Sequence, residues 1–130
     1  MSAISPRTSA FSSGFVGTVT TLRRDGSPHS TIVWVDEDAG DIVFNTAEGS
    51  SKPRELRADP RVAMLVLDPA DTYRWLAVSG TAELTQEGAR EQIDRLAKKY
   101  LGADTYPFRR EGEVRVAVRI RPDRISSQPA

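Results

Sequence analysis

A chain of 130 residues has room for one compact domain with a modest core. Its 18 lysines and arginines balance 18 aspartates and glutamates, and that neutrality argues against a nucleic-acid or membrane-surface partner, whose binder is usually basic. With no cysteine and one histidine, disulfides, thiol catalysis, thiolate-held metals and a histidine-rich metal site are excluded within a protomer.

No apolar run is long enough to span a bilayer and no signal-peptide pattern follows Met1, so the expectation is a soluble cytoplasmic protein. Residues 1–13, rich in serine and alanine, are expected to form an arm or a short helix. Phe15 to Leu22 is rich in valine and threonine and predicts a strand. Arg24-Asp25-Gly26-Ser27 is a turn, because Asp-Gly tolerates positive φ. His29 to Val35 returns as a second strand, Asp38 to Asp41 turns again, and Ile42 to Asn45 makes a third. Ser50, Ser51 and Lys52 then open a short helix that Asp59-Pro60 stops.

Val62 to Leu67 is apolar throughout and predicts a strand covered on both faces, by a helix or by a partner subunit. Trp75 to Leu84 is the fifth strand, with Gly80 a candidate bulge or close-approach point. A helix follows, with Thr85 as its expected N-cap, an apolar stripe of Ala89, Ile93, Leu96, Ala97 and Tyr100, and Gly102 as its stop. Val114, Val116, Val118 and Ile120 alternate with polar or small residues in a half-buried last strand. The domain is expected to cover 14–125, with 126–130 a loose tail. Six antiparallel strands in so short a chain close most economically into a small barrel, which removes sheet edges.

The chain holds no Gly-x-Ser-x-Gly elbow, no Cys–His pair and no histidine cluster. No catalytic side chain and no metal ligand set is therefore expected. Asp25, Asp36, Asp38 and Asp41 suit turns, and His29 suits packing or solvent better than proton transfer. The most informative stretch is Phe44 to Asp68. Hydroxyls at Thr46, Ser50 and Ser51, the Lys52 ammonium and free N–H groups at a helix N-terminus make a candidate anion site. A plain helix cap at Ser51 with Lys52 and Arg54 solvated explains the same residues. If the chain is an enzyme, a bound cofactor supplies the reactive group. Trp34, and Arg74 with Trp75, can wall a flat ring by stacking and cation–π contact. Tyr106 to Arg110 serves as a lid, a substrate wall or a plain connection.

Gly17-Thr-Val-Thr-Thr-Leu-Arg-Arg-Asp-Gly-Ser-Pro-His29, Thr31-Ile-Val-Trp34, Phe44-Asn-Thr46, Ser51-Lys52 and Leu56-Arg-Ala-Asp-Pro60-Arg-Val, in that order, resemble the pyridoxamine-phosphate-oxidase-like split-barrel flavoproteins. Leu67-Asp-Pro, Tyr73-Arg-Trp, Val78-Ser-Gly80, Arg95 to Gly102 and Arg119-Ile-Arg-Pro122 extend the match over nearly the whole chain after Phe15. Within that superfamily the chain is most similar to the F420-dependent flavin/deazaflavin oxidoreductases. The resemblance implies a mainly β, six-stranded antiparallel split barrel with two or three helices. It also implies a homodimer with cofactor sites at its interface.

The resemblance also assigns roles. Thr31, Ile32, Val33 and Trp34 would present backbone to the ring. Lys52, helped by Ser50, Ser51, Asn45 and Thr46, would hold the phosphate. Arg74 with Trp75 would reach in from the other subunit. Arg54, with Arg57 and Arg61, and with Arg109 and Arg110 folding over, would continue a basic groove. Such a groove suits the oligoglutamate tail of coenzyme F420 better than FMN, the alternative cofactor. Expected chemistry is hydride transfer to or from a small unsaturated or quinone-like organic substrate. An FMN oxidoreductase, or a carrier that binds cofactor without turnover, are the alternatives.

Overall fold

A computed structural model describes residues 14–129, so the expected N-terminal arm at 1–13 lies outside the described residues. The elements in chain order are β1 (Val16–Leu22), β2 (Pro28–Val33), β3 (Val35–Asp38), β4 (Asp41–Ala47), α1 (Ser51–Ala58), β5 (Arg61–Asp68), β6 (Asp71–Thr85), α2 (Ala89–Leu101) and β7 (Arg115–Gln128). All strand neighbours are antiparallel, in the order β2-β1-β5-β6-β7-β4-β3. This is the expected split barrel with seven strands rather than six.

The extra strand comes from dividing the expected His29-to-Val35 strand at Trp34. β2 pairs with β1 and β3 pairs with β4, at opposite edges of the sheet. A flat sheet of seven strands, spaced about 4.8 Å apart, would hold those edges roughly 29 Å from each other. Trp34 alone lies between β2 and β3, and two Cα steps reach only about 7 Å. The sheet must therefore curl until its edges meet at Trp34.

Tyr100 on α2 pins that meeting point. Its hydroxyl accepts from the Val35 N–H at 3.1 Å and lies 2.8 Å from the Phe15 carbonyl and 3.0 Å from the Val35 carbonyl, to either of which it can donate. Lys99 donates to the same Val35 carbonyl at 3.0 Å. The Trp34 ring stacks on Tyr100 with centroids 5.4 Å apart and planes 9° off parallel.

The curled sheet encloses a core that follows strand alternation. Val19, Met64, Val66, Leu76, Val78, Val116, Val118 and Ile120 point inward and are buried, with Phe44, Val35 and Leu56 beside them. In β5, Val62, Met64 and Val66 are buried, while Ala63 and Leu65 on its other face are exposed; among the described residues no helix supplies the expected cover.

Gly80 is both a bulge and a close approach. The β6–β7 register shifts between Ser79 and Gly80, and a Cβ at Gly80 would stand 1.9 Å from the Arg121 carbonyl oxygen. The tail expected to be loose from 126 instead continues β7, with Ser126, Ser127 and Gln128 paired to Ala77, Leu76 and Trp75.

α2 buries Ala89, Ile93, Leu96 and Ala97 and stops at Gly102, whose φ is 72°. Its start is later than expected. Thr85 is still in β6, paired with Ala117, and its Oγ1 accepts from the Glu87 N–H at 3.1 Å. Gly88 takes the N-cap position.

Tyr100→Phe leaves the Val35 N–H and a carbonyl at the closure without their partner. Urea denaturation should show a loss of about 1–3 kcal/mol. A variant as stable as the parent would mean that the closure does not depend on this hydroxyl.

Candidate functional site

Beside the closure a groove of about 400 Å³ lies between the end of β2, the end of β4, the start of α1, α2 and the segment leading into β7. That volume lies within the range of small-molecule pockets. Of the residues singled out in the sequence, Ile32, Val33, Trp34, Asn45, Thr46, Ser50 and Lys52 line it. Thr31, Ser51 and Arg54 neighbour these positions along the chain without lining the groove.

One end of the groove is polar. Ser50 occupies the N-cap position of α1, yet no side chain caps the helix. The Ser50 hydroxyl donates instead to the Ala47 carbonyl at 2.7 Å, which leaves the Thr46 hydroxyl as donor in their 3.1 Å contact. The bland explanation of Ser51 as a cap therefore fails: Ser51 is the first helical residue. Pro53 has no N–H, so the uncapped first turn offers the Ser51 and Lys52 N–H groups to whatever lies in front. Lys52 is half-buried. Burial pulls its ammonium below the usual lysine range, against an opposing pull from Glu55. A desolvated lysine at an uncapped helix start favours an anionic ligand.

The other end is aromatic. Tyr106 meets Trp34 edge-on at 6.1 Å and Phe108 at 5.7 Å. The loop that carries them is tied to α2 through Asp94, which accepts from the Tyr106 N–H and from Arg109 Nη2, both at 2.8 Å. The Tyr106 bond is the largest cause holding the Asp94 carboxyl below its usual range. Tyr106 and Phe108 are thus a wall of the groove, and Arg109 is committed to Asp94 rather than folded over the opening.

Arg115 is a groove residue that sequence reasoning missed. On β7 it pairs in register with Ala47, next to the loop that leads into α1. Its Nε donates to Asn45 Oδ1 at 2.7 Å, and its guanidinium stands 5.1 Å over Tyr106 and 3.3 Å from Glu113. Both Asn45 amide hydrogens are already spent, on the Ala89 carbonyl and Gln92 Oε1 at 2.8 Å each. Asn45 therefore shapes the groove and has little hydrogen-bonding capacity left for a ligand. From sequence Arg115 is one outward position of an alternating strand, and only the β4–β7 register brings it here.

The expected basic extension beyond Lys52 is largely neutralised. Arg57 makes a bidentate pair with Glu48 at 2.6 and 2.7 Å, and Arg61 a similar pair with Asp59. Arg54 is exposed and makes no ion pair among the described residues. Arg74 and Trp75 do not line the groove of their own chain. Arg74 lies 3.3 Å from Asp68 and 5.5 Å over the Phe15 ring, while Trp75 sits within β6 opposite Leu67 and Gln128.

Known proteins share this fold. The family model described as pyridoxamine 5'-phosphate oxidase matches residues 8–129. The chain belongs to the pyridoxamine 5'-phosphate oxidase family. A solved F420 reductase is 28% identical, with 91% of this chain and 94% of that chain covered and a TM-score of 0.77. A conserved hypothetical protein from Mycobacterium tuberculosis is 29% identical over 98% of this chain and 84% of its own, with a TM-score of 0.73. General Stress Protein 26 from Bacillus anthracis, at 21% identity, 92% and 88% coverage and a TM-score of 0.69, shares the fold. The groove residues and α1 fall within the matched residues.

Glu48 holds the loop before α1 in place. Its N–H donates to the Val114 carbonyl at 2.9 Å, and its carboxylate receives Arg57 and Gln86. Those bonds, Arg57 first, push its carboxyl down to about 2. A depressed carboxyl contributes stability above the unfolded value, and loses it as pH falls through the folded one. Arg57→Ala should therefore move acid unfolding, followed by circular dichroism, to higher pH. An unmoved acid midpoint would mean that the clamp contributes nothing.

Proposed function

We infer that this groove holds a phosphorylated flavin-type cofactor, coenzyme F420 foremost, and that the chain is an oxidoreductase acting on a small unsaturated or quinone-like organic substrate. One observation carries this reading. A single cleft joins an uncapped helix start bearing a half-buried lysine to an apolar and aromatic wall of Ile32, Val33, Trp34, Tyr106 and Phe108. The donor set fits the group: a cation and N–H groups for phosphate, and flat apolar surface for a ring.

In this reading Lys52 balances the phosphate charge, with Ser51 N–H, Thr46 and Ser50 around it. Val33 and Trp34 support one side of the ring and keep water from it, while Tyr106 and Phe108 bound the space where substrate lies. When bound in its reduced form, the deazaflavin supplies the hydride. The chain contributes position and dryness, and no side chain is required as acid or base.

The similarity to an F420 reductase at 28% identity supports F420. The neutralised arginines favour FMN as the second reading, because FMN has no polyanionic tail for them to meet. A homodimer belongs to the same proposal. The uncovered face at Ala63 and Leu65 is suited to a second copy, whose Arg74 and Trp75 would then approach the groove that they do not reach in their own chain.

Purified protein should quench F420 fluorescence on binding, and Lys52→Ala should weaken that binding by roughly tenfold to a hundredfold, the worth of one charge-assisted bond. Binding that is absent at high micromolar F420, beside uptake of FMN to give a yellow protein, would replace F420 by FMN.

A further inference from the structure

Glu55 is a buried carboxylate, 8% exposed, that the proposed cofactor site does not use. It projects from α1 three residues after Lys52, so the two share a helix face. Thr21 on β1 donates its hydroxyl hydrogen to Glu55 Oε1 at 2.6 Å. His29 on β2 places Nδ1 at 3.1 and 3.3 Å from the two carboxylate oxygens. Burial pushes the Glu55 carboxyl up, but the bonds from Thr21 and His29, with Arg23 nearby, hold it below its usual range. It is therefore ionised wherever histidine titrates.

An ionised carboxylate has no hydrogen to give, so His29 Nδ1 must carry the hydrogen between them. The atom that gains or loses a proton is then Nε2. The His29 side chain is 24% exposed, so that proton can exchange with solvent. The charged groups facing Glu55 are thus His29 on β2, Arg23 at the end of β1 and Lys52 on its own helix. Of these, His29 is the group that can take up a further proton, at Nε2.

We propose that Glu55, clasped between Thr21 and His29, positions Lys52 and the first turn of α1 for their anion, and that protonation of His29 tightens that site. The inference rests on the phosphate end of the groove proposed above. With His29 neutral, the Glu55 charge offsets part of the Lys52 charge that a ligand would feel. With His29 protonated, the imidazolium takes up the Glu55 charge, the clasp becomes a charge-assisted pair, and Lys52 is left for the ligand. Linkage is reciprocal, so a bound anion must in turn favour protonated His29.

Sulfate is the probe of choice, because its charge stays constant across this range whereas a phosphate monoester titrates near pH 6. Calorimetric titration of the full chain should find sulfate bound roughly fivefold more tightly at about pH 5.5 than at about pH 8. His29→Gln should remove that difference. Equal affinity at both pH values, or a pH step that survives in His29→Gln because Lys52 itself titrates, overturns the proposal. His29 is the only histidine, so one imidazole NMR signal reports it in the unaltered protein. Sulfate added at fixed pH should move that signal toward its protonated position, and an unmoved signal in protein that binds sulfate also overturns the proposal. Protein that binds no sulfate at any pH contradicts the anion site itself, an outcome distinct from binding without pH dependence.

Discussion

The closure at Trp34 is the constraint on which the rest depends. Two strands adjacent in sequence stand at opposite edges of a seven-stranded sheet, so one residue must bridge a gap that a flat sheet would make impassable. The chain meets this by curling the sheet and by fastening the join from outside with α2. Tyr100 and Lys99 supply the backbone groups around Val35 with the partners that a ladder would otherwise provide. Unpaired buried backbone polar groups are costly, which is why a half-buried tyrosine and lysine stand side by side at this point.

The same closure builds the groove. Splitting the strand at Trp34 leaves β2 an edge strand paired with β1 alone, and sets Ile32, Val33 and Trp34 along the groove. The β4–β7 pairing then brings Arg115 beside Ala47 and the start of α1. The cleft is polar where the chain enters a helix and aromatic where α2 and its following loop cover the join. Charge is used sparingly around it. Glu48, Asp59, Asp94 and Glu113 each stand against an arginine, while half-buried Lys52 lines the polar end.

Much of the fold could be read from periodicity and turn chemistry. The Asp25-Gly26 turn, the alternation of Val116, Val118 and Ile120, the stripe of α2 and the glycine stop at 102 all rest on local rules. The candidate site was legible in its contiguous parts, Ile32 to Trp34 and Thr46 to Lys52, because each is one short continuous stretch of chain. What escaped was relational. The break at Trp34 is invisible in an unbroken strand-like run, since only the identity of each half's partner divides it. Arg115 needed the β4–β7 register, and Arg57 and Arg109, expected to extend the groove, are drawn to Glu48 and Asp94, acids distant in sequence whose proximity no spacing rule supplies. The loose tail expected after 125 pairs with β6 because the β7 register continues past the Gly80 bulge.

The central claim is that one cleft holds a phosphate at α1 and a ring at β2. Amide NMR shifts recorded while F420 is added to the full chain test it most directly. The account predicts that the largest shifts fall on Ile32 to Trp34 and on Ser51 and Lys52 together, with Arg115 following. Shifts confined to another face, or to only one end of the groove, would contradict it.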